Sequence, residues 1–172
     1  MTDIALAWNA EAMAADLVLD QGQLLADQGL RTAVMISLFT DARAPDDAAL
    51  PEAGQDRRGW WGDVLATDAG PMAGSAADPD RIGSLLWLLS RAKVTPAVLA
   101  EAREHAEAAL AWLVRDGVAR AVRVIATAER AGAVPDVLAL AVEIDRPDGP
   151  GRQRWDFTWD ASTRSIMIKE PN

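Results

Sequence analysis

The residues best suited to chemistry lie in one eight-residue segment. This segment combines two guanidinium groups, two indoles and two carboxylates, and its two glycines permit a bent backbone on either side of the indoles. Three interpretations are open: a loop that stacks on a polysaccharide or nucleotide, an anchor for a protein interface, or an internal plug. In the plug, the indoles would cover the core while one arginine pairs with an internal carboxylate. The segment reads Asp56, Arg57, Arg58, Gly59, Trp60, Trp61, Gly62, Asp63.

Other candidates for catalysis are weaker. His105 is the sole histidine, and it would flank the apolar stripe of a helix, which favours a half-buried packing role over that of a general base. A glycosidase requires two carboxylates at a set separation, and spacing along the chain does not show one. We therefore expect no catalytic residue, no metal and no cofactor. The remaining acidic clusters, typical of solvated loops, are Asp46-Asp47 and Asp78/Asp80.

Composition narrows the class of protein. The chain has 172 residues, which predicts one domain spanning 1–172. It has no cysteine, so disulfides and cysteine-ligated zinc are excluded. Its net charge of −9 would repel nucleic acid and anionic lipid, and it contains no apolar run long enough to span a bilayer. We expect neither nucleic acid nor membrane as a partner.

The N-terminal part predicts strands and then a helix. Ile4, Leu6 and Trp8 alternate with other residues as in a strand, and a hairpin is expected over about 16–26. A helix should follow, with Asp27 as its N-cap, apolar residues every fourth position and an end near 39–40. Residues 41–63 have no periodicity and predict a long surface loop that carries the Arg-Trp segment.

Two further helices are expected in the middle of the chain. The apolar run 81–91 suits a buried helix, with Asp80 as a candidate cap. The clearest helix begins at Thr95-Pro96, which are a cap and a first-turn proline, and ends at Gly117.

The last third predicts an antiparallel β-meander with one buried face. Alternating apolar residues mark strands near 118–127, 138–144 and 155–159, and residues 162–172 form a C-terminal tail. The tail's apolar residues, within Ser165–Lys169, should be mobile, pair within the domain or pair with a neighbouring copy. The fold class is therefore α+β, with two or three helices packed on one face of the meander.

Two packing predictions follow from these assignments. Arg57 or Arg58 should make a charge-assisted hydrogen bond to a carboxylate or to backbone carbonyls inside the domain. Four tryptophans should be largely buried in one core, because they lie in or beside apolar runs. They are Trp87, Trp112, Trp155 and at least one of Trp60 and Trp61.

The ordered blocks DRRGWWGD, GSLLWLLSRAK and AALAWLVRDGVA, followed by two strands, resemble the gene product 46 family of phage Mu over about residues 4–160. A more distant similarity is to the gene product 25, or "lysozyme-like", wedge group, whose acid-Pro-Arg motif corresponds here to Asp56-Arg57-Arg58. Arg57 stands where that group has proline.

This resemblance implies a structural, non-enzymatic component of a contractile-tail baseplate wedge. Its expected partners are other wedge proteins, the tail sheath and further copies in the assembled ring, with strand edges that extend the sheath's own pairing. The expected location is the virion tail, and the host cytoplasm before assembly. The alternative is a carbohydrate-binding or peptidoglycan-acting protein that uses Trp60, Trp61 and nearby carboxylates.

Overall fold

The computed structural model describes residues 3–4, 6–9, 14–20, 22–24, 26–27, 30–63, 81–129, 137–147, 153–160 and 165–169. Ten strands and two α-helices lie in this part of the chain, with one short 3₁₀ helix at Leu86–Leu89 between the α-helices. The strands are β1 (Asp3–Ile4), β2 (Leu6–Asn9), β3 (Ala14–Leu17), β4 (Leu19–Asp20), β5 (Gln23–Leu24), β6 (Ala26–Asp27), β7 (Ala121–Glu129), β8 (Val137–Asp145), β9 (Gln153–Asp160) and β10 (Ser165–Lys169). The α-helices are α1 (Arg31–Phe39) and α2 (Pro96–Arg115).

The main sheet has four antiparallel strands in the order β10-β9-β8-β7. Each strand pairs with the next along the chain, which is the predicted meander, and the α+β class is confirmed. The expected tail supplies the fourth strand, since Ser165 pairs with Asp160 and Lys169 with Asp156. These residues were expected to be mobile, to pair within the domain or to pair with a neighbouring copy, and in the structure they pair within the domain.

One hydrophobic core joins both α-helices, the 3₁₀ helix and the sheet. Its β8 residues are Leu138, Leu140, Val142 and Ile144, as the alternation predicts. The expectation of a single buried face is wrong for β8, whose Ala139 and Ala141 are also buried. Because β8 is central, each of these short side chains lies between longer neighbours on β7 and β9.

Helix α2 follows its predicted boundaries. The Thr95 hydroxyl accepts a hydrogen bond from the Val98 amide at 3.3 Å, and Pro96 occupies the first turn. The helix ends before Gly117, whose φ of +72° suits glycine. Both ends are set by local interactions, which explains why residue types alone locate them.

Helix α1 ends at Phe39 as expected but begins differently. Its N-cap is Leu30, which makes no side-chain capping hydrogen bond, so the prediction of Asp27 as the cap is wrong. Asp27 instead belongs to β6, where it pairs with Asp3 of β1. Strand pairing therefore holds the residue that local preference would place at the helix start.

The segment 81–91 is not the predicted buried α-helix. Only Leu86–Leu89 is helical, as a single 3₁₀ turn, because the preceding residues are held against the loop after α1. Ser84 pairs with Asp41 in an isolated parallel bridge, and its hydroxyl donates to the Leu38 carbonyl. Gly83 (φ +107°) has no room for a Cβ, which would lie 2.5 Å from the Thr40 carbonyl oxygen. Asp78 and Asp80 lie outside the described residues.

The N-terminal strands form three two-stranded sheets: β1 with β6, β2 with β3, and β4 with β5. The predicted hairpin is present at its centre, where β4 and β5 pair around Gly22 (φ +81°). We call the six strands together the N-terminal ribbon.

Candidate functional site

The candidate site lies in the predicted loop 41–63, and Arg57 ties the two ends of this loop together. Its guanidinium donates hydrogen bonds to the carbonyl oxygens of Pro45, Asp46 and Ala48, the last at 3.4 Å. Its Nε also lies 3.7 Å from Asp46 Oδ1, while its own carbonyl accepts from the Ala44 amide at 2.9 Å. Arg57 thus supplies donors to carbonyls that no helix or strand satisfies.

Arg58 binds the same loop to the body of the domain. Its Nη1 lies 2.8 Å from Asp41 Oδ2, and its guanidinium carbon lies 4.3 Å from the ring centroid of Trp87. The Trp87 indole, which is 5% exposed, donates in turn to the Ala42 carbonyl at 2.8 Å. One cation thereby joins the start of the loop, its end and the 3₁₀ helix through an ion pair and a cation–π contact. The prediction of an internal arginine contact is confirmed for both arginines.

The backbone between the arginines and the tryptophans makes a sharp turn. Arg58 has φ +51°, the only positive φ among the described non-glycine residues, and Gly59 follows with φ +112°. The Asp56 carboxylate accepts the Arg58 amide at 2.8 Å, which stabilises the turn. A Cβ on Gly59 would lie 2.9 Å from Cβ of Arg43, so both the angle and the space require glycine.

After this turn the indoles face solvent. Trp60 is 36% exposed and Trp61 is 72% exposed, and their ring centroids are 5.4 Å apart with planes tilted by 46°. The Trp60 ring covers Gly62, where a Cβ would overlap it, and the Asp63 amide donates to the Trp60 carbonyl. We call Trp60 and Trp61 the indole pair.

The tryptophan prediction is therefore only partly right. The expectation that Trp60 or Trp61 is largely buried is wrong, because the turn at Arg58-Gly59 directs both away from a core that the helices and sheet already fill. Trp87 is buried as predicted, although it packs on Arg58 beside the main core cluster. Trp112 is half-buried and donates to the Ser37 hydroxyl. The side chain of Trp155 lies outside the described part.

The two acids that flank the motif take part in loop structure. Asp56 accepts the Arg58 amide, and Asp63 Oδ1 lies 3.4 Å from the Ile82 amide. His105 is half-buried on α2, as the sequence predicts, with Nε2 3.6 Å from Glu101 Oε1. Within the ranges that the structure describes, no cluster of three acidic or histidine side chains could hold a metal ion.

Two residues of the site could not be found from spacing. Asp41 pairs with Arg58 across 17 positions, and Trp87 meets it from 29 positions away. Asp41 carries no signal beyond its place at a helix end. The apolar run around Trp87 predicts only a core residue, and it does not indicate that the Arg58 guanidinium lies over the indole ring.

The described helices include none that is long and apolar enough to cross a membrane. Fold and site together define a small α+β protein that presents an exposed indole pair from a loop fixed by two arginines.

The chain belongs to the family described as phage protein GP46, whose family model matches residues 30–151. It is 43% identical over 150 residues to the baseplate protein gp46 of Escherichia phage Mu, covering 87% of this chain and 90% of that protein. It is 42% identical over 155 residues to the Mu-like prophage FluMu protein gp46 of Haemophilus influenzae, covering 90% and 94% respectively. These matches confirm the resemblance that the ordered motifs predict. No solved structure matches the chain.

Proposed function

We propose that the protein is a structural component of a contractile-tail baseplate wedge that assembles with other wedge proteins and the tail sheath and catalyses no reaction. The identity of 43% to the baseplate protein gp46 of phage Mu supports a structural role in the baseplate. Its place is the tail of a virion, after a period in the host cytoplasm, with further copies in the same ring. It needs no cofactor, nucleic acid or membrane.

The observation that carries the proposal is the exposed indole pair on a fixed loop. Tryptophan and arginine dominate the energetically important positions of protein interfaces. A side chain already held in position loses less conformational entropy when a partner covers it. Arg57 and Arg58 hold the loop through its carbonyls and through Asp41, so the indole pair is presented in advance of binding. The motif Asp56 to Asp63 is thus our proposed interface, in which the arginines position and the tryptophans contact.

A second proposed contact is a strand edge. Near the termini, β10 and the six strands of the N-terminal ribbon each pair on one side only among the described strands, as does β7 at the far edge of the main sheet. An unpaired edge is a template for a partner's strand. Strand addition by the sheath at such an edge fits the role that the family resemblance implies.

The central test is reconstitution with the large wedge protein encoded beside this chain. The double variant Trp60→Ala, Trp61→Ala should bind it at least about 30-fold more weakly, because the truncation of even one tryptophan at an interface centre costs about 2 kcal/mol or more. The matched control is Val114→Ala on α2, another exposed apolar side chain. Equal affinity for the double variant and the control would contradict the proposal.

Two further changes test the other surfaces. Deletion of 165–172 removes β10 and leaves β9 as the edge, and it should weaken assembly. Charge reversal at Asp47, which is exposed in the loop, should do the same while the fold survives. Normal tails without this protein would contradict both expectations.

A peptidoglycan-acting or carbohydrate-binding protein is the second candidate, favoured by the exposed, tilted indole pair. This reading requires glycan binding that the indole pair mediates, or glycan turnover that Asp56→Asn or Asp63→Asn abolishes. Both carboxylates accept backbone hydrogen bonds, which favours a structural role for them. Turnover of peptidoglycan at enzymatic rates would overturn the wedge proposal.

A further inference from the structure

The N-terminal ribbon carries an apolar surface that the proposed interface does not use. Leu17, Leu19 and Leu24 are 49%, 65% and 49% exposed. Leu19 and Leu24 are direct cross-strand partners in β4 and β5, so they share one face. Leu17 is the last residue of β3 and lies two positions before Leu19, with the less exposed Val18 between the two strands. We call these three residues the leucine patch.

The charge around the leucine patch has one sign. Residues 1–30 contain five of the chain's 26 acidic residues and none of its 17 lysines and arginines. Asp16 is exposed directly beside the patch, and its carboxylate accepts the amide of Leu17 at 2.7 Å. A surface complementary to this one is therefore apolar at its centre and basic at its rim.

The strands of the ribbon are short, with two to four residues each, and among the described strands each pairs with one neighbour. The ribbon is also linked to the helices, since the Thr32 hydroxyl of α1 donates to the Ile4 carbonyl at 3.2 Å. Two-stranded pairs with exposed leucines gain little stability in water, so a partner that covers the leucines would stabilise the ribbon.

We propose that the leucine patch is a docking surface for a basic, apolar-centred surface on another protein of the same tail. This inference rests on the proposed function for the setting, but it uses a surface distinct from the indole pair. A second copy of this chain is the wrong occupant on charge grounds, because each copy carries a net charge of −9 and the patch lies in its acidic, base-free part.

The test measures binding of the full-length protein to each purified structural protein of the same tail in turn, by biolayer interferometry. For one of them, Leu19→Gln with Leu24→Gln should weaken binding by about tenfold or more. The matched control Val114→Gln, also an exposed aliphatic residue, should leave it unchanged. Asp16→Lys should weaken binding to the same tail protein. Raising the salt from about 50 to 300 mM should lower the affinity of the wild-type protein for it.

The following results would overturn the proposed docking surface or replace the variant that tests it. If the double leucine variant does not fold, Leu17→Gln and Asp16→Lys carry the same test with one substitution each. Unchanged binding in the leucine and Asp16 variants overturns the inference, as does wild-type binding to none of the tail proteins. Self-association that the leucine variant abolishes would identify a second copy as the occupant and also overturn it. Loss of binding only in the indole-pair variant would leave the proposed function standing without this docking surface.

Discussion

The two halves of the motif 56–63 face in opposite directions. Arg57 and Arg58 point inward, to loop carbonyls and to Asp41, while Trp60 and Trp61 point outward. This reverses the usual arrangement, in which charged side chains face water and large apolar ones are buried. The backbone carbonyls of a long loop need hydrogen-bond donors, and the two arginines supply such donors from within the loop.

The inward half of the motif bears the larger share of stability. Arg58→Ala should destabilise the domain by about 2–3 kcal/mol, because it removes a charge-assisted hydrogen bond and a cation–π contact together. Urea unfolding at neutral pH measures this change. The control is Arg43→Ala in the same loop, whose exposed side chain lies 3.7 Å from Asp46 and should contribute under about 0.5 kcal/mol. Equal costs for the two variants would mean that the contacts of Arg58 with Asp41 and Trp87 stabilise the fold no more than an exposed ion pair does.

The turn that separates the halves should be the next most sensitive point. Gly59→Ala forces a side chain onto φ +112° and against Cβ of Arg43, at a cost of about 1–2 kcal/mol. The comparison is Gly54→Ala, which also has a positive φ (+157°) but whose Cβ would meet no atom within 4 Å, so the difference between the two variants measures the contact with Arg43. Urea unfolding of both variants checks this prediction, and a larger loss for Gly54→Ala would contradict it.

The residue beneath Arg58 comes next. Trp87→Phe keeps an aromatic face for the guanidinium but loses the hydrogen bond to the Ala42 carbonyl, so we expect a loss of about 1 kcal/mol. A double-mutant cycle that combines Arg58→Ala with Trp87→Leu, which removes the aromatic face, measures the coupling of the two side chains. Strictly additive effects would mean that the 4.3 Å contact contributes nothing.

The outward half should barely affect stability. Trp61→Ala should change the free energy of unfolding by less than about 0.5 kcal/mol, because this residue is 72% exposed, and Trp60→Ala by less than about 1 kcal/mol, because its ring also covers Gly62. The same variants should lose partner binding, which separates a recognition role from a structural one. A large stability loss in either variant would return the motif to the internal-plug interpretation.

The smallest effect is expected at the exposed ion pair between Arg115 and Asp116. This pair contrasts with the ion pair between Arg58 and Asp41, in which the arginine side chain is largely buried. A hydrogen bond from Arg115 lowers the pKa of the Asp116 carboxyl below its ordinary value. A lowered folded-state pKa stabilises the fold above the ordinary pKa, and this contribution is lost as the pH falls through the folded value. Asp116→Asn should therefore lower the melting temperature slightly at pH 7 and less at about pH 3. An effect at pH 7 as large as that of Arg58→Ala would contradict the comparison.

Much of the fold could be predicted because its signals are local. Thr95, Pro96 and Gly117 define α2 through caps that involve only near neighbours, and the alternation in 138–144 defines a strand face. The gene product 46 resemblance was likewise readable from ordered motifs and is confirmed. The inward direction of the arginines could also be predicted, since a guanidinium beside glycines in a long loop has carbonyls within reach.

Residue types and spacing thus established the α+β class, the ends of α2 and the presence of internal arginine contacts. They could not place Asp27 in a strand, limit 81–91 to one 3₁₀ turn, or turn the indole pair outward. Each of those outcomes depends on a partner distant in sequence: Asp3 for Asp27, Asp41 for Ser84, and a core already filled by other elements for the tryptophans. Local preference acts within about one helical turn, whereas such contacts exist only after the whole chain has packed.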